Sequence, residues 1–403
     1  MEYIDGGVCA AKGFKASGIH CGIRKNKTKK DLALILSEAP ASAAATYTTN
    51  LVKGAPIEVT KEHLKNGTAQ AVICNSGIAN TCNSDGIEKA NMMCKFVEES
   101  LGISENDVVV ASTGVIGQPL DVEPIKNGMD ELIKNLGDNS RDACSAIMTT
   151  DTVIKEVAVS FEVGGKKCAV GGIAKGSGMI HPNMATMLVF LTCDASISPE
   201  MLQKAVSADI KDTFNMISID GDTSTNDMVV VLSNGMAGNE TITADGEDFE
   251  KFKAALNAVT KRLCRMIAKD GEGASKLIVC NVTGAADTEN AKKAAKAVIC
   301  SNLTKAAMFG SDANWGRVLC AIGYSGADVD VNKIDVSFKS EAGSIDVCKD
   351  GMGIGFSEEK AKEILLKDEI EINIELNSGD KTATAFGCDL TYDYVKINGD
   401  YRT

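Results

Sequence analysis

Thr186 can supply a nucleophile and its base from one residue. It follows a small residue, Ala185, in the run Lys175-Gly-Ser-Gly-Met-Ile-His-Pro-Asn-Met-Ala-Thr186-Met-Leu. A chain cut between Ala185 and Thr186 presents a threonine whose hydroxyl attacks while the new α-amine takes the proton. An α-amino group has an unperturbed pKa of about 7.7–8.0, suited to general-base work near neutrality, whereas a lysine at about 10.4 must first be depressed.

A second place for chemistry is Ser112-Thr113-Gly114, at the end of the β-branched run Asp107-Val-Val-Val-Ala111. There a hydroxyl and an unhindered backbone N–H can converge on a developing oxyanion; taken alone, the pair also reads as an ordinary strand-to-turn junction. The polar run Met148-Thr-Thr-Asp-Thr152 either lines a pocket or opens a strand. Three glycine stretches, Gly171–Gly178, Gly221-Asp-Thr-Ser-Thr and Gly271-Glu-Gly-Ala-Ser-Lys276, lack the spacing of phosphate loops and read as turns. Asp312-Ala-Asn-Trp-Gly-Arg317, with the single tryptophan, reads as a capped helix start.

The elements that must position these residues alternate between helix and strand. Met187–Leu191 is a buried strand by its unbroken apolar run. Ile87–Leu101 is a helix whose apolar face holds Met92, Met93, Phe96 and Val97. Residues 199–209, 247–268 and 291–300 read as helices, and 277–280 as a strand. Hairpins are expected around Gly164-Gly165, at Glu341-Ala-Gly and, over Ile370–Phe386, at Asn377-Ser-Gly. Antiparallel hairpins mixed with amphipathic helices predict an α/β (α+β) chain with helices layered on sheets, not a doubly wound parallel sheet.

Composition narrows the function. Of 403 residues, 44% are apolar and 24% charged, the profile of a globular chain with a large core. A net charge of -13 and only 4% aromatics argue against a nucleic-acid partner. The N-terminus shows no secretory pattern and no apolar run is long enough to span a membrane, so the expected location is the cytoplasm. The fourteen cysteines form no Cys-x-x-Cys pair, and the three histidines are far apart. Buried, reduced thiols are therefore expected, with no metal site.

Taken together, the segments resemble the ornithine acetyltransferase family of arginine biosynthesis, also called glutamate N-acetyltransferase. The likeness runs over nearly the full length. It is carried by Asn75-Ser-Gly, Ser112-Thr-Gly-Val-Ile-Gly117, Thr149-Thr-Asp-Thr152, Lys175-Gly-Ser-Gly-Met through Asn183-Met-Ala-Thr-Met-Leu188, Asp220-Gly-Asp-Thr-Ser-Thr-Asn-Asp227, Gly271–Lys276, Asn314-Trp-Gly-Arg317 and Asn398–Thr403. Ile78 stands where the family commonly has Asn, and His181 where it often has a small residue; neither touches the nucleophile.

The resemblance implies a precursor that cuts itself between Ala185 and Thr186. The α chain (1–185) and β chain (186–403) stay associated as an α2β2 heterotetramer. It implies Thr186 as nucleophile, Thr113 and Gly114 as the oxyanion hole, and Thr152, Lys175, Thr186, Glu272, Asn398 and Thr403 as substrate-binding residues. The implied fold is a layered αββα-like sandwich shared with self-processing aminopeptidases. The implied reaction moves acetyl from N2-acetyl-L-ornithine to L-glutamate by ping-pong exchange without a cofactor, with acetyl-coenzyme A left open as a second donor. Charge complementarity matches Lys175 to the α-carboxylates and Glu272 to the ornithine side-chain ammonium. The competing readings are a self-processing aminopeptidase or amidase using the same threonine and a non-catalytic binding protein on the same fold.

Overall fold

Leu188–Cys193 and Met228–Ser233 are buried along their whole length, as central strands covered on both faces must be. The computed structural model describes residues 1–181 and 187–400. Residues 1–181 contribute strands β1 (Glu2–Ile4), β2 (Phe14–Ile19), β3 (Leu32–Tyr47), β4 (Thr68–Ile78), β5 (Val108–Val115), β6 (Lys155–Val163) and β7 (Lys166–Lys175). They also contribute helices α1 (Ala55–His63), α2 (Gly86–Leu101), α3 (Glu123–Lys134) and α4 (Ser140–Ile147). From residue 187 come β8 (Leu188–Cys193), β9 (Ile217–Ser218), β10 (Met228–Ser233), β11 (Leu277–Ala285), β12 (Asp335–Ser340), β13 (Gly343–Lys349), β14 (Met352–Gly353), β15 (Glu369–Glu375) and β16 (Lys381–Cys388). The helices of this part are α5 (Pro199–Asp209), α6 (Glu247–Lys269), α7 (Thr288–Cys300), α8 (Asn302–Phe309), α9 (Trp315–Gly323), α10 (Glu358–Leu365) and α11 (Tyr392–Asp400).

The first sheet has nine strands in the order β1-β6-β7-β8-β10-β3-β4-β5, with β2 beside β3. Sixteen-residue β3 joins its two wings: residues 32–37 pair with β2, and residues 42–47 pair with β10. Side chains alternate along each strand. Ala33, Ile35, Val72 and Val109 of one wing share an apolar cluster with Ile173, Leu188, Phe190 and Val230 of the other. Helix α4 packs against both β2 and β7, filling the space between the wings. On the outer face, Leu34, Ile73 and Val110 meet α2 and α3, while Val159, Leu191 and Val229 meet α5 and α6. The resulting order of helices, wing, wing, helices is the layered α/β arrangement expected from the sequence.

Helix α6 is amphipathic, burying Phe249, Phe252, Leu256, Val259, Leu263 and Ile267 at helical spacing. Its far side faces a second, seven-stranded sheet, β14-β13-β12-β15-β11-β16-β9, through Leu277, Val279 and Phe386. The opposite face of that sheet is covered by α7, α8, α9 and α10. Asn314 caps α9 by accepting the Arg317 N–H at 3.2 Å, as the sequence predicts.

The Gly164-Gly165 hairpin forms between β6 and β7, with φ of 54° and 71° at the two glycines, the left-handed pair that a two-residue turn requires. The hairpin at residues 341–342 also forms. The expected pairing across Asn377-Ser-Gly does not. β15 and β16 are both present, but β11 lies between them, parallel to β15 and antiparallel to β16. The connection instead wraps the end of β11, with Leu376 N–H donating to Thr283 O and Ser378 N–H to Gly284 O. Cys74, Cys94, Cys144, Cys264, Cys280 and Cys388 are buried in the cores, acting as small apolar groups. Among the described residues no helix is long and apolar enough to cross a membrane.

Candidate active site

Strand β5 runs parallel to β4 and brings Thr113 opposite Ser76 and Gly114 opposite Gly77. Gly114 has φ 131°, and a Cβ on it would stand 2.3 Å from the Gly77 carbonyl carbon. Only glycine allows this approach. Thr113 is nearly buried at 8% exposure.

The end of β5 is tied to the start of β10 by one amide. Asn226 Nδ2 donates to Ala79 O at 2.6 Å and to Ser112 O at 3.0 Å. Its Oδ1 accepts from the hydroxyls of Thr81 at 2.5 Å and Thr225 at 2.6 Å. Both donors and both lone pairs of Asn226 are used, so the amide fixes where Thr113 sits. Thr113, Lys175, Gly178, Met187, Asn226 and Asp227 line one small cavity of about 20 Å³. Asp227 is fully buried; burial pushes its carboxyl well above the usual carboxylate range, against a hydrogen bond to Ser224 and the charge of Lys175.

Both flanks of residues 182–186 are firmly held. Met228 N–H donates to Met187 O at 2.9 Å. On the other side, Asp220 accepts from the N–H groups of Met179 at 2.6 Å and Ile180 at 2.9 Å. Thr223 Oγ1 donates to His181 O at 2.8 Å. Ser177 Oγ donates to Asp270 O at 2.7 Å, and Ser177 O accepts the Glu272 N–H at 2.9 Å. Glu272 lies against Gly178, where a Cβ would meet its carboxyl carbon at 2.4 Å. Glu272 Oε2 accepts from Asn398 Nδ2 at 2.8 Å.

Of the residues expected from sequence, the structure thus brings Thr113 and Lys175 to one cavity beside Met187, with Gly114 next to Thr113. It pairs Glu272 with Asn398 beside Gly178. Thr152 opens onto a neighbouring cavity of about 670 Å³, together with Val153, Met266, Asp270 and Ile397. Ala185, Thr186 and Thr403 lie outside the described residues.

Three groups were not singled out in the sequence: Asn226, Asp270 and Lys155. Lys155 has no exposed surface and bridges Asp151 at 2.7 Å and Asp270 at 2.5 Å. Its setting, Val-Ile-Lys-Glu-Val, reads as plain strand alternation, and Asp270 is far away in sequence. Only the polar run ending at Thr152 hinted at the network.

This network sets an acid limit on stability. Burial pushes the Asp151 carboxyl up, but the charges of Lys155 and Lys175 and hydrogen bonds from Lys155 and Gly176 N–H outweigh it and hold it at about 2. A folded-state pKa below the unfolded one stabilises above the unfolded value, and the contribution is lost as pH falls towards 2. Burial and the charge of Lys296 push His181 down to about 4, against the pull of Asp220. Its neutral form is favoured in the fold, so that contribution is complete above about 6.5 and lost as pH falls to 4. Urea unfolding is expected to show stability declining from pH 6.5 and more steeply below 4. The His181→Asn variant should flatten the upper part of the decline and leave the lower part; an unchanged upper slope would refute the assignment.

A layered α/β fold that gathers a threonine hydroxyl, a glycine-permitted close approach and a lysine around the end of its central strands has the makings of an acyl-transfer site. The ArgJ family matches residues 15–403, and the chain belongs to that family. The arginine biosynthesis bifunctional protein ArgJ of Caldanaerobacter subterraneus subsp. tengcongensis is 52% identical over 405 residues, covering 100% of both chains. The crystal structure of the arginine biosynthesis bifunctional protein from Bacillus halodurans is 48% identical. It covers 53% of this chain and 98% of that chain, with a TM-score of 0.50. Ornithine acetyltransferase from Mycobacterium tuberculosis, solved in complex with ornithine, is 35% identical and covers 45% of this chain and 98% of that chain, with a TM-score of 0.42.

Proposed function

We propose that this chain acts in arginine biosynthesis, moving acetyl from N2-acetyl-L-ornithine to L-glutamate through an ester on Thr186. The observation that carries the reading is the cavity in which Thr113, Lys175 and Asn226 surround Met187, the residue next to Thr186. The full-length likeness to relatives named for arginine biosynthesis supports it.

In the precursor the Thr186 hydroxyl attacks the Ala185 carbonyl, the peptide C–N bond breaks, and water hydrolyses the resulting ester. The freed α-amine then takes the hydroxyl proton as Oγ attacks the acetyl carbonyl. Thr113 and Gly114 hold the oxyanion, the amide C–N bond breaks, and ornithine leaves with the proton. Glutamate attacks the acetyl ester and regenerates the hydroxyl.

Lys175 pairs with the α-carboxylate common to both amino acids. Glu272, oriented by Asn398, takes the ornithine ammonium, and Thr152 and Thr403 complete the site. The exchange runs between similar amides, so it needs no metal or redox group. In this reading 1–185 and 186–403 remain together as an α2β2 assembly in the cytoplasm.

Labelled acetyl supplied on ornithine should appear on glutamate, with parallel double-reciprocal plots and a trappable acetyl-enzyme. Label released only as acetate would instead make the chain an amidase, and intersecting plots would rule out the ester. Substituting acetyl-coenzyme A for acetylornithine in the same assay decides whether it is a second donor.

A further inference from the structure

Helix α6 treats its cations differently at its two ends. In its first half Lys251 pairs with Glu247 at 2.7 Å and Lys253 with Glu250 at 2.9 Å, each with an acid one turn earlier. Towards its end Lys261, Arg262, Arg265 and Lys269 follow with no acid among them. Among the described residues only Arg265 of the four has a carboxylate partner, Glu369 at 2.5 Å. A helix C-terminus favours cations within its last turn, which accounts for Lys269 but not for Lys261 and Arg262 further back. Lys261, Arg265 and Lys269 also stand at i, i+4 spacing, where like charges repel.

The four cations converge on a cavity of about 460 Å³, which they line together with Tyr3, Met266 and Glu369. In a chain of net charge -13, four cations against one carboxylate make a local site for an anion. Lys261 and Lys269 lie about 12 Å apart along the helix axis, too wide for one phosphate and suited to several in a row. Tyr3, from β1, is 57% exposed, and the Arg262 guanidinium lies over its ring at 4.9 Å from the centre. A planar base can stack on such an aromatic and guanidinium pair. Met266 and Lys269 are also walls of the 670 Å³ cavity onto which Thr152 opens, so the two cavities adjoin. Val153, Met266 and Ile397 give that second cavity an apolar side.

We infer that the basic groove of α6 binds a nucleoside diphosphate, with Lys261, Arg262 and Lys269 on the phosphates and Tyr3 against the base. The ligand is either a free nucleotide or the head of a coenzyme A thioester. In the second case its uncharged arm crosses the apolar side of the adjoining cavity. The inference goes beyond the transferase reading, and its test reads binding without turnover.

Calorimetry on the intact protein with ADP and with coenzyme A makes the test. Both should bind saturably to the wild type, and more weakly as salt rises. Lys261→Glu and Arg262→Glu, at exposed positions, should each weaken ADP by about tenfold, the loss of a charge-assisted hydrogen bond. Lys95→Glu, the same charge change at an exposed position of α2, should leave ADP binding unchanged. Val153→Trp, which narrows the adjoining cavity, separates the two sources. Weaker coenzyme A with ADP unchanged marks a tethered acyl arm, and both unchanged marks a free nucleotide. No saturable binding of either ligand, or an equal loss in Lys95→Glu, overturns the inference. Inorganic pyrophosphate bound as tightly as ADP overturns the role of Tyr3. Failure of acetyl transfer from acetylornithine would leave all of these results standing, so the two readings fail separately.

Discussion

Replacing Thr186 by alanine is expected to leave the chain in one piece and without transferase activity. Alanine carries no hydroxyl, so neither the attack on the Ala185 carbonyl nor the acetyl ester can form. Removing the nucleophile of a hydroxyl-based site typically costs on the order of 10⁴–10⁶ in turnover, which here means activity at the limit of detection. Intact-mass measurement checks the first half: wild type should give two fragments, one beginning Thr-Met-Leu-Val, and the variant a single mass. An uncut variant with full activity would end the mechanism.

Thr113→Ala should produce the second largest loss. If the Thr113 hydroxyl is a principal oxyanion donor, both self-cleavage and acetyl transfer slow by on the order of 10²–10³. Its surroundings argue against a folding defect, because the strand on which it sits is held by neighbours that survive the change. Ser112 is fastened through its carbonyl to Asn226 and through its hydroxyl to Asn75 at 2.6 Å. Turnover should therefore fall with the melting temperature nearly unchanged and with ornithine affinity kept. Equal slowing of cleavage and transfer is the informative result, since one oxyanion site would serve both. A drop in only one would assign Thr113 a different task.

What could be read from the chain was the part written locally. The Gly164-Gly165 turn announces its own hairpin because two adjacent residues with positive φ fit almost nothing else. Thr113-Gly114 stood out because a hydroxyl and a glycine end an apolar strand. The misread hairpin between β15 and β16 shows the limit: a five-residue connection with Asn-Ser-Gly at its centre joins them, yet β11, from nearly a hundred residues earlier, took the place between. Strand insertion is a long-range choice that no local pattern encodes. The same holds for Lys155, which looks like a surface position of β6 until Asp270 arrives from the end of α6. Asn226 belonged to a noted run, but its four partners come from three separate parts of the chain.

The first sheet takes β7 from before residue 182 and pairs it, residue for residue from Val170 to Lys175, with β8 from after residue 187. β10 is likewise zipped to β3. A gene split at codon 186 would thus yield two polypeptides, each with a raw row of unpaired amides and carbonyls, the usual template for aggregation. In the proposed reading, cleavage has to come after folding, and soluble halves are to be sought by co-expression, not by mixing them after separate purification.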